Sequence, residues 1–180
     1  MARAFIAVGS NIDREANVER ALERLNELVS VRAISNFYST RALSGGAQPD
    51  FLNGMVAVET ELGPVALKQS VLRLIERDLG RRRSKDKNAD RTIDLDLVLY
   101  DDIVSETPPL ILPDPELGRR AFLAVPLAEL APALEIPGGR GSATDLARAL
   151  DRSGMVPKAE YSRRLRTRIL HGPQESRSAR

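Results

Sequence analysis

Asp94 and Asp96 stand two residues apart in the run Arg91-Thr-Ile-Asp-Leu-Asp-Leu97. Ile93, Leu95, Leu97 and Leu99 alternate there with Asp94, Asp96 and Val98, a pattern that predicts a half-buried strand over 92–100. On a strand both carboxylates point to one face, roughly 6 to 7 Å apart at their Cα atoms. Two such charges are stable when the face is open to water, or when a divalent cation lies between them. Magnesium favours one or two carboxylates, completed by waters and phosphate oxygens. Just upstream, Arg81, Arg82, Arg83, Lys85, Lys87 and Arg91 are offset only by Asp86 and Asp90, which reads as an anion site or a solvated loop. Carboxylates for a metal beside guanidinium forks for phosphate are what a nucleoside triphosphate requires. Transfer from such a group depends on positioning and on neutralising charge. No segment reads GxxxxGK[ST], and Gly9-Ser10-Asn11 lacks the further glycines of a dinucleotide fingerprint, so the site is built differently.

A chain of 180 residues, 42% of them hydrophobic, can bury one sizeable core and reads as a single domain. With no cysteine it has no disulfide, thiolate zinc site or cysteine nucleophile, and a metal must use oxygen ligands or the lone His171. The apolar run from Ala4 to Val8 stops at Gly9-Ser10, too short for a signal core or a membrane span, so the expected location is cytoplasmic. The sequence pI of about 9.2 raises the question of nucleic acid. Residues 157–180, however, hold seven Lys/Arg against two Asp/Glu, which leaves 20 basic and 23 acidic residues elsewhere. The basic excess belongs to the end of the chain. The expected organisation is one domain over 1–157 and a basic, mobile tail over 158–180, with His171 dispensable within it.

The elements that must position these residues follow from period and punctuation. Residues 4–8 read as a buried strand. From Asp13 a helix carries Val18, Ala21, Leu22, Leu25 and Leu28 at helical spacing. Strands are predicted over 31–38 and 53–62, separated by a Ser/Gly/Pro-rich segment over 39–50 that is too long for a tight hairpin. Gly63-Pro64 opens a second helix whose buried face is Leu67, Val71, Leu74, Ile75 and Leu79, and Gly80 stops it. With the strand at 92–100 the order becomes βαββαβ, which predicts an α+β, ferredoxin-like sheet with helices packed on one face. Short C-terminal helices are expected over 121–130 and 143–150.

The segments Phe5-Ile-Ala-Val-Gly-Ser-Asn11, Phe37-Tyr-Ser-Thr40, Gln48-Pro-Asp-Phe-Leu-Asn53, Gly80-Arg-Arg-Arg83 and Arg91 to Leu97 occur in this order. Together they resemble the 6-hydroxymethyl-7,8-dihydropterin pyrophosphokinase family over about residues 4–135. The resemblance implies transfer of the β,γ-pyrophosphoryl group of ATP to a reduced pterin alcohol with release of AMP, in folate biosynthesis. It implies Asp94 and Asp96 as ligands of Mg2+, two ions bound with ATP, and Arg81 and Arg91 as catalytic groups on the phosphates. It places Glu76, Arg83, the backbone around Leu97 and Asp114 along the nucleotide. Thr40, Leu43, Phe51, Asn53, Arg120 and Phe122 fall at the pterin, the two phenylalanines sandwiching its ring. The implied partners are ATP and the pterin, with no nucleic acid, no membrane and a monomeric chain.

Three departures stand out against that family: Asn88-Ala89-Asp90 replaces a bulky group and a Gly-Pro pair, Arg41 replaces a proline, and Asp114 replaces a histidine. A carboxylate at 114 repels a triphosphate unless it accepts a hydrogen bond from an arginine such as Arg120 or helps hold magnesium. These departures motivate an alternative, a diverged relative acting on another pterin alcohol. A second alternative, a non-catalytic RNA-binding module of the same fold, is opposed by the two aspartates, because RNA-binding sheets of this shape display aromatic rings on their central strands.

Overall fold

A computed structural model of the chain describes residues 1–41, 48–81 and 89–172. Its strands are β1 (Ala2–Ser10), β2 (Ser30–Ile34), β3 (Tyr38–Thr40), β4 (Phe51–Thr60), β5 (Asp94–Tyr100) and β6 (Met155–Pro157). They form one antiparallel sheet in the order β5-β1-β4-β3-β6, with β2 also paired to β4. The helices are α1 (Arg14–Leu28), α2 (residues 64–78), α3 (Ala121–Leu130), α4 (Ala143–Ala149) and α5 (Ala159–His171). The strand predicted over 31–38 is thus two, β2 and β3. The architecture is the α+β, ferredoxin-like one, with its second strand divided and β6 added at that edge.

The two helices of the βαββαβ unit, α1 and α2, pack on one face as expected, and the C-terminal helices α3 and α4 cover the other. Ala4, Ile6 and Val8 of β1 face a core shared with α1, α2 and α5, whereas Phe5 and Ala7 face a second core beneath α3 and α4. The reason lies in the central strands. Residues 4–8 and 55–58 are apolar at every position, so each strand needs cover on both sides. The C-terminal helices supply the second cover through Leu123, Ala124 and Leu127.

The alternation in β5 also breaks. Ile6 pairs with Leu97 and Phe5 with Leu99, so Val98 is an extra residue, a bulge. Beyond it Leu99 turns to the second core and Tyr100 to the first, contrary to a continuous Ile93-to-Leu99 stripe.

The mobile tail expected from residue 158 gives way to helix α5, which buries Tyr161, Ser162, Leu165 and Ile169. Tyr161, Leu165 and Ile169 recur every four residues, so one helical stripe meets the first core. The arginines lie on the other sides. Arg168 donates to Glu23 at 2.6 Å and Glu19 at 2.9 Å on α1. His171 sits exposed in the last turn, and residues 173–180 lie outside the described residues. Among the described residues no helix is long and apolar enough to cross a membrane.

The docking of α5 predicts a stability effect at a fully buried side chain. Leu165→Ala should lower the unfolding free energy by about 3 kcal/mol in urea titration. A loss below about 0.5 kcal/mol would show that α5 is undocked in solution.

Candidate active site

Pairing across three strands sets the first row of the site. Gly9 of β1 lies opposite Asn53 of β4 on one side and Asp94 of β5 on the other, and one row deeper on the same face Ala7 lies between Met55 and Asp96. A Cβ on Gly9 would stand 2.7 Å from Asn53 Oδ1 and 3.9 Å from Asp94 Cβ. The missing side chain therefore keeps a gap open between the amide and the carboxylate. The amide of Asn53 is held in place, since its Nδ2 donates to Thr40 Oγ1 at 2.8 Å.

The segment ahead of β5 is tied to the end of β1. Ser10 Oγ donates to the Thr92 carbonyl at 2.6 Å, and the Arg91 amide donates to Asn11 Oδ1 at 2.7 Å. The Asn11 amide returns a bond to the Arg91 carbonyl at 3.1 Å, and Asn11 Nδ2 donates to Asp90 Oδ1 at 2.7 Å. Ser10 and Asn11 thus fix where Arg91 leaves the backbone. The sequence singles out Gly9-Ser10-Asn11 as a motif, but which backbone groups it holds, 80 residues away, is visible only in the fold.

Arg91 and Arg81 converge on Asp94. Arg81 Nη1 donates to Asp94 Oδ1 and to Glu76 Oε1, and Arg91 Nη1 donates to Asp94 Oδ2. Glu76, buried on α2, also accepts the Leu95 amide at 2.9 Å. Burial works against the charge of Arg81, but Asp94, Glu76 and Asp96 outweigh it and hold its pKa above the ordinary value. Two cations here meet two anions, and Asp96 is the surplus charge. Asp96 is an exposed residue, yet protein packed around its carboxylate strips water from it. With the neighbouring Asp94, Asp114 and Glu76, this pushes its pKa up to about 7.

A π-helical stretch, Leu67–Leu72, interrupts α2 between Pro64–Ala66 and Arg73–Asp78. The Arg73 amide bonds to the Lys68 carbonyl, five residues back. In an uninterrupted α-helix residues five apart point about 140° away from one another. The wider turn brings Lys68 and Arg73 to one side, where both line a cavity with Glu76 and Arg81. Sequence reasoning missed Lys68 and Arg73, because a π turn leaves no period to read.

Two cavities meet at the charged cluster. One, of about 270 Å³, is lined by Lys68, Arg73, Glu76, Arg81, Arg91, Asp94 and Asp96. The other, of about 230 Å³, is lined by Gly9, Asn53, Gly54, Arg91, Asp94, Asp96, Asp114, Glu116, Arg120 and Phe122, among others. Arg91, Asp94 and Asp96 belong to both. The fold therefore unites Arg81, Glu76, Asp94, Asp96 and Arg91 with Asn53, Arg120 and Phe122.

Other expected residues sit differently. Leu43 and Arg83 lie outside the described residues. Thr40 is buried and reaches the site through Asn53, and Phe51 lies opposite Thr40 on β4 but does not line the 230 Å³ cavity. The side chain of Leu97 is in the first core. Its backbone faces outward, because Leu95 gives its amide to Glu76 and strand groups alternate with period two. Arg120 does not reach Asp114. Its Nε donates to Glu116 Oε2 at 2.7 Å, and Asp114 Oδ1 accepts the Glu116 amide at 2.8 Å.

The donor set suits a divalent cation that shares its ligands with phosphate. Among the described residues no three acidic or histidine side chains are grouped to hold a metal alone. Asp94 and Asp96 nonetheless line the same cavities, and burial, followed by the neighbouring carboxylates Asp94, Asp114 and Glu76, makes the charged form of Asp96 costly without a cation. Magnesium needs only one or two carboxylates when phosphate oxygens and waters complete it.

Residues 5–132 match the family model for 7,8-dihydro-6-hydroxymethylpterin-pyrophosphokinase (HPPK). The chain is 36% identical over 141 residues to a 2-amino-4-hydroxy-6-hydroxymethyldihydropteridine pyrophosphokinase of Pseudomonas aeruginosa, covering 77% of this chain and 86% of that protein. A Bacillus subtilis protein of the same name is 38% identical over 135 residues, covering 73% and 80%. Among solved structures, an HPPK-DHPS in complex with substrates gives a TM-score of 0.63 at 12% identity, over 82% of this chain and 42% of that one. A wild-type Plasmodium falciparum HPPK-DHPS with SDX-DHP gives 0.59 at 14%, over 83% and 43%. At that identity the likeness speaks for the fold alone, and the chain spans less than half of either.

The charge on Asp96 predicts a pH-dependent stability in the metal-free protein. An unfolded aspartate titrates near 4, so between about pH 4 and pH 7 the folded state keeps a proton that the unfolded state has lost, and stability falls as pH rises. Asp96→Asn removes that loss. In EDTA it should melt above the parent, with a larger gain at pH 8 than at pH 5. Equal gains at both would mean that Asp96 titrates like a free aspartate.

Proposed function

The chain belongs to the 7,8-dihydro-6-hydroxymethylpterin-pyrophosphokinase family, and from that membership and its site we infer its reaction. It transfers the terminal pyrophosphoryl group of ATP to the hydroxymethyl group of 6-hydroxymethyl-7,8-dihydropterin, a step of folate biosynthesis, and releases AMP. The observation that carries this reading to particular residues is the junction of the two cavities at Arg91, Asp94 and Asp96. The cavity rich in Lys68, Arg73 and Arg81 suits a triphosphate, and the cavity with Asn53 and Phe122 suits a flat heterocycle with a hydrogen-bonding edge. The group to be moved then lies where they meet.

In this assignment the pterin oxygen forms a bond to the β-phosphorus while the bond from that phosphorus to the α,β-bridging oxygen breaks. The bridging oxygen leaves with the electron pair on AMP, and the hydroxyl proton passes to solvent. Asp94 and Asp96 would hold Mg2+, taken here as two ions, which neutralises phosphate charge and orients the nucleotide. Arg81 and Arg91 are the catalytic groups, turning from Asp94 to the phosphate oxygens as charge moves toward the leaving group. Arg83 assists at the phosphates. Glu76 anchors Arg81, the outward backbone at Leu97 lies along the nucleotide, and Asp114 borders the phosphates. Asn53, steadied by Thr40, reads the pterin edge with the backbone at Leu43. Phe122 flanks the ring from the cavity wall, Phe51, two residues before Asn53 on β4 and outside that lining, is assigned to its other side by the family resemblance, and Arg120 closes its edge. The chain acts as a monomer on ATP and the pterin.

Incubation with Mg-ATP and the dihydropterin, followed by identification of the nucleotide, tests the reading. AMP is expected, and ADP as the product would refute it. Asp94→Ala should reduce kcat by at least about a hundredfold while the circular dichroism spectrum stays that of the parent. Near-parental turnover of Asp94→Ala at saturating magnesium would remove the metal assignment.

A further inference from the structure

Helix α5 and strand β6 lie beyond residues 5–132, the span matched to the family, yet their contacts converge on the proposed pterin cavity. Phe37 is fully buried, and its ring lies against Gly54, where a Cβ would come within 2.8 Å of three ring carbons. Gly54 and its neighbour Asn53 both line the cavity. Phe37 therefore supports the β4 backbone from the first face, directly beneath the residue beside Asn53.

Phe37 is in turn fixed at three points by α5 and the residue that precedes it, Lys158. Its amide donates to Ser162 Oγ at 2.8 Å, and its carbonyl accepts the Lys158 amide at 2.8 Å. Its ring meets Tyr161 edge to face, with centroids 5.9 Å apart and planes at 87°. Ser162 is itself wholly buried, and its hydroxyl donates to the Lys158 carbonyl at 2.8 Å, so its one proton and an acceptor site are both committed. The adjoining β6 pairs with β3, setting Met155 opposite Thr40, the residue that holds the Asn53 amide.

We propose that Ser162 is a positioning residue for pterin binding, acting through Phe37 to fix the β3–β4 backbone that presents Asn53. This rests on the pterin assignment above. Among the described residues the hydrogen bonds of α5 to other elements run to α1 and to residues 34–37, and none runs to α2 or to Arg81, which with Lys68 and Arg73 lines the triphosphate side. The consequence is selective: loosening the Ser162 link degrades the pterin subsite and spares the nucleotide subsite.

The test is made in the full chain, by steady-state kinetics and by direct titration with the dihydropterin in the presence of a non-hydrolysable ATP analogue. Ser162→Ala leaves the buried Phe37 amide without its acceptor and should raise KM for the pterin about fivefold to tenfold, with KM for ATP within about twofold of the parent. Ser162→Thr keeps the hydroxyl and should recover most of the pterin affinity. Arg168→Ala loosens α5 from α1 without touching Phe37 and should move neither constant. Tyr161→Leu removes the ring contact and carries the same test should Ser162→Ala fail to fold. A parental KM for the pterin in Ser162→Ala, or an equal rise in both constants, overturns the inference while a parent that yields AMP leaves the reading beneath it intact. A parent that yields no AMP refutes that reading and the inference with it.

Discussion

Asp94 is gripped through both its oxygens by Arg81 and Arg91, and the site depends on that arrangement. The four charges of Arg81, Arg91, Asp94 and Glu76 come from the segment after α2, the segment before β5, β5 itself and α2. Partly buried ion pairs of this kind contribute little net stability, because desolvation offsets attraction. Removing one partner is costly, because it strands the other charge. The cluster is thus better understood as fixing register than as a source of stability. It holds the start of β5 against the end of α2, with the Leu95 amide capped by Glu76, and so sets where Asp96 must lie. Balance among the four leaves Asp96 as the uncompensated charge, and a site with surplus negative charge beside cations already engaged suits the Mg-ATP of the proposed reaction. The arriving phosphates can take the arginines, and the metal can take the carboxylates.

That exchange needs a rigid frame, and the sheet provides it by dividing its second face. Toward one end Phe5, Ala57 and Leu99 meet α3 and α4 in an apolar core. Toward the other, the same face ends in the rows Ala7-Met55-Asp96 and Gly9-Asn53-Asp94. Side chains here sit on paired strands, so their spacing follows from the ladder and not from loop conformation. The bulge at Val98 lies where the polar rows give way to the apolar core. It lets β5 present aspartates on the second face at 94 and 96 and still bury Leu99 on that face further along.

Much of this was legible in the sequence, for physical reasons. The period-two alternation at 93–97 and the helical period at 18–25 each commit a segment to one buried face, and both stand in the structure. Fully apolar central strands announced cover on both sides, although the ferredoxin-like pattern drew attention to one. Composition misled at α5, where the arginines that made 158–172 look solvated lie around a stripe of Tyr161, Leu165 and Ile169 that the four-residue spacing already contained. The π turn in α2, the bulge at Val98 and the ties from Ser10 and Asn11 to residues 90–92 were not legible. Each depends on what lies opposite in three dimensions, and none changes the local composition.

Asp114 shows how such context alters the meaning of a single substitution. Read as a bare charge, an aspartate in place of the histidine that the family resemblance implies sets repulsion against a triphosphate. In the fold its amide bonds to the Val98 carbonyl at 2.9 Å on the edge of β5, and its Oδ1 accepts the Glu116 amide at 2.8 Å, closing a turn. Glu116 then holds Arg120, the residue that precedes α3 and adjoins the segment carrying Phe122. The carboxylate therefore shapes the route by which Arg120 and Phe122 reach the cavity. Its charge still acts on the site, since Asp114 is among the carboxylates that push Asp96 upward, although burial makes that charge costly and raises its own pKa. One residue thus organises the cavity that holds Arg120 and Phe122 while adding negative charge beside Asp94 and Asp96. In the reaction proposed above, a magnesium ion held by Asp94 and Asp96 would answer that added charge.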